Sequence, residues 1–334
     1  TPSNNANNKY DPNNIGSNFL NNNIRDVSTA LNGFNNAGMS EGIDFAKLEN
    51  ARKLSATEYT FHPQLGYISL NQKLTNDEVL AVAYQYTIGD QVYQVGEFGT
   101  DGVDATNVDS GGIPSSQALL LKMLKSNLVV VTEPAWDLMM KNIYQIQGGY
   151  QLQQEDFKFN ILYTDPSPLN YITEAGVDPL PADVEETPLL KVFNVDKLNY
   201  TNDPQEGGDG FFDFIPGLTV DTQKGRIIFT TVEPFGKHLF EKLRLNPTED
   251  YDGTIYNSNQ TKYVFRNLYK STQAAALQES AKNKFQLKGR FKSMGGDGIS
   301  IGAFNVPQGS VVVTAGGRVL IEGVDYSVNY QAGR

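Results

Sequence analysis

The chemically versatile side chains are few. His62 and His238 are the only histidines, and there is no cysteine. A thiol nucleophile, a disulfide, a zinc–thiolate centre and an iron–sulfur cluster are therefore excluded. His62 precedes Pro63 in a predicted loop, and His238 adjoins Leu239 and Phe240. Both read as ordinary surface or interface histidines. The chain carries no Gly-x-Ser-x-Gly elbow, no Walker loop and no His-Glu-x-x-His helix. Its 38 acids make chance carboxylate pairs common, and no pair has the isolation expected of glycosidase chemistry. One stretch does concentrate hard oxygen donors. Asp196, Asn199, Asn202, Asp203, Asp209 and Asp213 lie within eighteen residues, and Ca²⁺ takes about six to eight such ligands. Their spacing departs from an EF-hand loop, which ends in a glutamate. A turn-rich loop spending Asp and Asn on its own backbone is the preferred reading, with bound Ca²⁺ as the rival. No catalytic, cofactor-binding or metal-ligating residue is assigned. The sole tryptophan, Trp136, reads as a core residue more than as a sugar platform.

The elements that would hold these residues are mostly strands. In residues 284–292, Phe285, Leu287 and Phe291 alternate with Lys and Arg, the period of a strand with one dry face. Gly295–Gly298 offers a turn, Ile299–Phe304 a second strand, and Ser310–Thr314 a third. Gly316-Gly317 then favours a tight hairpin into Arg318–Ile321, because glycine reaches positive φ at little cost. Asp325–Tyr330 starts one more strand. Upstream, Gly66–Asn71 and Phe157–Tyr163 are predicted strands, and Gly225–Val232 is another. Tyr84 and Tyr86 alternate into a hairpin turned by Gly89-Asp90 and returning over Val92–Phe98. Thr75–Glu78 resembles a cap or tight turn. Short helices are expected at 45–51, 117–125, 134–144, 189–198 and 237–243. Pro134 suits a first helical turn, and Trp136, Met139, Met140 and Ile143 would form an apolar stripe.

The fold class that follows is mainly β with a few short helices, a β-rich α+β protein. Five segments are expected: an Asn-rich linker or loop over 1–25, a hairpin unit with two helices over 26–164, a Pro- and acid-rich connection over 165–188, a mixed unit over 189–283, and a hairpin repeat over 284–334. A length of 334 residues accommodates two or three domains of ordinary size. The 39% hydrophobic content, with 18 Phe and 17 Tyr, is enough for a core. A net charge of −11 repels polyanions, so nucleic acid is not an expected partner. No apolar run of ~18 residues is present for a membrane-spanning helix. The weak, alternating signal of a membrane β-barrel is harder to exclude. The hairpin repeat ends without a partner for its last strand, and an open strand edge attracts other chains. It therefore reads as an internal piece of a longer polypeptide.

Several long strings carry a resemblance. They are Ala303–Tyr330, Leu65–Gln72, Glu78–Tyr86, Tyr93–Glu97, Trp136–Tyr144, Gly208–Asp213, Gly225–Phe229 and Glu233–Gly236. From about Leu65 onward the chain resembles the SprA/Sov family of the Bacteroidetes. That resemblance implies a fragment of the outer-membrane translocon of the type 9 secretion system, which is also needed for gliding motility. It implies a giant outer-membrane β-barrel with soluble elaborations, through which folded cargo crosses. The implied partners are the rest of the parent polypeptide, accessory secretion proteins and transiting cargo, and the implied membrane contact is through the parent barrel. It points to no catalytic residue. The helices and the 165–188 stretch do not suit a barrel wall, so a soluble elaboration on the cell surface, on the extracellular side, is favoured, with some wall strands at its ends as the alternative. The rival readings are a cell-surface adhesin or glycan-binding β module and, last, an envelope hydrolase.

Overall fold

In a computed structural model of the chain, the described residues are 22–34, 39–99, 106–108, 111–112, 114–292, 301–303, 305–315, 317–331 and 333. The expected turn at Gly295–Gly298 and most of the Asn-rich start lie outside them, as do Ile299, Ser300 and Phe304 of the expected second strand. The described part is mostly strands with a few helices of four to six residues. The strands form separate two- and three-stranded sheets, with no closed barrel among the described residues. No described helix is long and apolar enough to cross a membrane. Contacts divide the chain into two units, residues 1–140 and 141–334.

The first unit is a set of antiparallel ribbons. Strands β1 (Tyr59–His62) and β2 (Tyr67–Leu70) pair in register from Tyr59↔Leu70 to His62↔Tyr67. Strand β3 (Leu80–Val82) runs almost directly into β4 (Tyr84–Ile88), which turns at Gly89-Asp90 into β5 (Gln91–Val95). This is the hairpin expected from the alternating tyrosines. Strands β6 (Thr106–Val108) and β7 (Pro114–Ser116) form another ribbon. The Leu-rich segment 117–125 is a correction. It is not a helix: Lys122–Lys125 is strand β8, paired with β3. Its Ala, Leu, Lys, Met and Gln residues favour helix, but intrinsic propensity is a small term that yields to tertiary pairing. Here the Leu120 N–H reaches the Glu97 carboxylate at 3.0 Å, and the Lys125 ammonium grips the carbonyls of Thr75, Asn76 and Glu78 at 3.1, 3.2 and 2.6 Å. A strand at 122–125 is what brings that ammonium to the turn at 75–78. The 45–51 segment also lacks a helix. The predicted 134–144 helix survives only as its first turn, α1 (Pro134–Asp137).

The second unit contains the main core. Strand β9 (Ile143–Gln145) takes the last two residues of the expected helix and joins a three-stranded sheet beside β12 (Arg226–Ile228), after which comes β11 (Val220–Asp221). Gly225 holds φ +62°, and a side chain there would collide with the Gly149 carbonyl, so this crossing demands glycine. Strand β10 (Lys158–Tyr163) pairs in antiparallel register with β13 (Phe285–Arg290), from Lys158↔Arg290 to Tyr163↔Phe285. The helices are α2 (Leu189–Val192), α3 (Leu239–Lys242), α4 (Ser258–Tyr263), α5 (Asn267–Lys270) and α6 (Gln273–Gln278). An irregular turn, Pro234–His238, leads into α3. Only the ends of the C-terminal strands form. They are β14 (Thr314–Ala315) and β15 (Arg318–Val319), joined across the expected glycine turn, whose Gly316 lies outside the described residues. Asp325–Tyr330 makes no strand; Glu322 bridges Tyr326 instead.

The core is built on aromatic edges. Phe193, fully buried, lies 4.8 Å from Phe235, 5.7 Å from Phe285 and 6.1 Å from Phe229. Tyr144 meets Phe229 edge-on at 5.6 Å. Such geometry adds about 0.5–1.5 kcal/mol per pair beyond area burial. The Pro-rich stretch 165–188 has no helix or strand, yet it sends Ile172, Leu180 and Val184 into this core. Its backbone groups are met by α4. The Asn259 side chain accepts from Ala175 N at 2.8 Å and donates to the carbonyls of Asp178 and Pro179, both at 3.0 Å. The Tyr263 hydroxyl donates to Thr173 O at 2.6 Å.

Candidate functional site

The oxygen-rich stretch follows directly from α2. The Val195 N–H closes on Leu190 O, and the Asp213 N–H then closes on Val195 O, so Asp196 and Asp213 are drawn into the interior beside the core. Asp196 receives the N–H groups of Asp209 at 2.8 Å and Gly210 at 3.1 Å, one on each carboxylate oxygen. Asp213 receives those of Lys197 at 2.7 Å and Leu198 at 3.1 Å in the same way. The two carboxylates thus clamp opposite arms of one loop. Burial pushes the Asp196 carboxyl above its ordinary range, while the two N–H donors pull it back. Gly208 holds φ +64°, and a side chain there would land inside the Asp196 carboxylate.

Asn199 and Asp209 also bond within the loop, whereas Asn202 and Asp203 are exposed. Asn199 Oδ1 accepts from Thr201 N, Thr201 Oγ1 and Asp203 N at 2.9, 2.6 and 3.0 Å. Asp209 accepts from Phe211 N at 3.0 Å. The loop is therefore organised by its own N–H groups, as the preferred reading of the sequence has it. Among the described residues, no group of three or more His, Cys, Asp or Glu side chains is placed to hold a metal ion.

The histidines are structural in their contacts. His62 ends β1, where a loop was expected, and its ring stacks on Tyr67 at 4.1 Å and 10°. His238 Nε2 lies 2.7 Å from the Val192 carbonyl, which requires the ring nitrogen to donate. Burial lowers the pKa of His238 below 6.5. Buried Glu249 is likewise enclosed by donors. Gln260 Nε2 at 2.8 Å and Asn257 Nδ2 at 3.1 Å reach its two oxygens, and Leu245 N donates at 3.1 Å. Trp136, expected in the core, is only half-buried, because the helix that would have presented it is one turn long.

Sequence reasoning did not foresee where the apolar surface would lie. All five residues of β4 are exposed, Ile88 by 62%. Tyr86 stacks on Tyr93 across the ribbon at 5.1 Å, and Tyr84 follows at 6.0 Å from Tyr86. Leu119, Leu121, Leu128, Val129, Leu138, Met139 and Met140 are exposed in the same unit. Alternation identifies a strand with two different faces, but it does not say that a face will meet anything within the chain. Comparison with protein-family models and with curated proteins finds no match to this chain.

Proposed function

We propose that this chain is a non-catalytic structural segment of an outer-membrane protein translocon for type 9 secretion of folded cargo, carried on the extracellular side of the parent barrel. The observation that supports this reading is the exposed strand β4, one face of which presents Tyr84, Tyr86 and Ile88 to the surroundings. Contiguous apolar surface of this kind marks a site of contact with other protein. The family resemblance of residues 65–334 supplies the class of assembly. The buried Asp196 and Asp213 carboxylates, each held by two backbone N–H groups, fit a scaffold role better than a hydrolytic one.

Two measurements test the proposal in cells expressing the parent polypeptide. Replacing Tyr84, Tyr86 and Ile88 together with Ser is expected to reduce cargo secretion at unchanged protein level. Normal secretion would count against a role for this surface. The chain has no cysteine, so Val177→Cys, at a position 97% exposed, provides one new thiol. It is expected to react with a membrane-impermeant maleimide on intact cells; labelling only after lysis would overturn the extracellular placement. Saturable binding on a glycan array would instead support the adhesin reading.

A further inference from the structure

The β10–β13 ribbon carries a charge pattern opposite to that of the chain. Directly opposed residues of an antiparallel pair share a face. One face holds Ile161, Leu287, Tyr163 and Phe285 against the core. The other brings together Lys158 with Arg290, Asn160 with Lys288, and Leu162 with Gln286. Strand alternation places Lys284 and Lys292 in the same row. Lys158, Gln286, Lys288, Arg290 and Lys292 are exposed. Lys292 is answered by Asp156 at 2.9 Å and Glu155 at 3.6 Å. The hydrogen bond and charge of Lys292, with Arg290 and Lys158 beyond it, hold the Asp156 carboxyl below its usual range. Among the described residues, neither Lys288 nor Arg290 makes an ion pair. Like charges placed opposite each other, such as Lys158 and Arg290, destabilise a ribbon. Here they persist in a chain of net charge −11.

The same strand has an open side. Among the described residues β13 pairs only with β10, so its far edge presents a row of N–H and C=O groups. We propose that this edge receives an extended acidic segment of a partner polypeptide as a third strand. Main-chain bonds along β13 would hold it, and carboxylates on alternate residues would meet the basic row, since both repeat every second residue. A nucleic acid or an anionic lipid surface would satisfy the charges alone and leave the edge unused. The inference does not depend on the translocon reading.

The test uses the whole 334-residue chain and a labelled heptapeptide alternating Glu and Val, followed by fluorescence anisotropy. A second peptide has its central Val replaced by Pro, which removes a ladder donor at equal charge. Saturable binding of the first peptide is expected. Binding about tenfold weaker is expected for the Pro peptide, and again for the Lys288→Glu/Arg290→Glu chain, each a loss typical of a few exposed contacts. Backbone amides of β13 should gain exchange protection when the first peptide binds. Equal binding of both peptides, no binding of either, or preferential binding of anionic phosphatidylglycerol vesicles would each overturn the proposal. If the double variant fails to fold, Lys288→Gln supplies the same comparison with one charge removed.

Discussion

At the scale of single residues, the loop at 196–213 illustrates how a carboxylate can be a structural part. Gly208→Ala puts a methyl group into Asp196 and strains a left-handed backbone. It is expected to cost about 2–3 kcal/mol, read as a lower urea midpoint. Gly207→Ala, at φ +80° but with open space around it, should cost only ~1 kcal/mol. His238 makes stability depend on pH in a stated direction. Its folded-state pKa lies below 6.5, so below that value the unfolded chain binds more protons and stability falls with falling pH. Above pH 6.5 the contribution of the neutral ring is fully present. His238→Gln, which keeps a donor for Val192 O, is expected to flatten that part of the profile in denaturation curves measured between neutral and mildly acidic pH. The role of the aspartates was half legible from sequence. Asp and Asn among glycines signal turns, but which N–H each oxygen meets depends on α2 and on the return of the chain at Asp213.

At the scale of elements, length decided what the sequence revealed. Strands with strict alternation, such as β10, β13 and the β4–β5 hairpin, formed where the pattern placed them. Of the segments read as helices, 45–51 and 117–125 formed none and 134–144, 189–198 and 237–243 kept only about one turn each, because helices this short have little stability of their own. Residues 122–125 gained more from pairing with β3 and from the Lys125 grip. Lys125→Met is therefore expected to free the turn at 75–78, seen as faster amide exchange in Asn76–Glu78 with little change elsewhere. Helix α4 shows the opposite case. Asn257 caps it, accepting from Gln260 N at 2.9 Å while the Gln260 side chain accepts from Asn257 N at 3.0 Å. Asn257 also donates to Leu243 O at 2.8 Å. Asn257→Ala removes the cap and leaves buried groups unpaired, for an expected loss of about 2–4 kcal/mol in thermal or urea unfolding. Thr272→Ala, at the exposed start of α6, should lose ~1 kcal/mol.

At the scale of the whole molecule, burial is uneven. Among the described residues, the buried apolar side chains of unit 1–140 are Ile24, Ala30, Tyr67 and Val95, whereas the continuous core from Leu152 to Tyr269 lies in unit 141–334. The sole tryptophan belongs to the first unit. Its fluorescence is expected to report an unfolding midpoint at lower urea than far-ultraviolet circular dichroism, which follows both units. Coincident midpoints would show one cooperative transition instead. The β-rich class was legible because alternation is local; the unevenness was not, because burial depends on which surfaces meet. The attachment of residues 173–179 to Asn259 and Tyr263 has a further consequence for biosynthesis. The partners of these backbone groups lie 80 to 90 positions later in the chain. While the ribosome is still making that intervening length, the stretch has nothing to fasten to. A nascent chain halted before residue 259 should therefore be cut readily by proteases around Thr173–Pro179, and one released after residue 263 should resist.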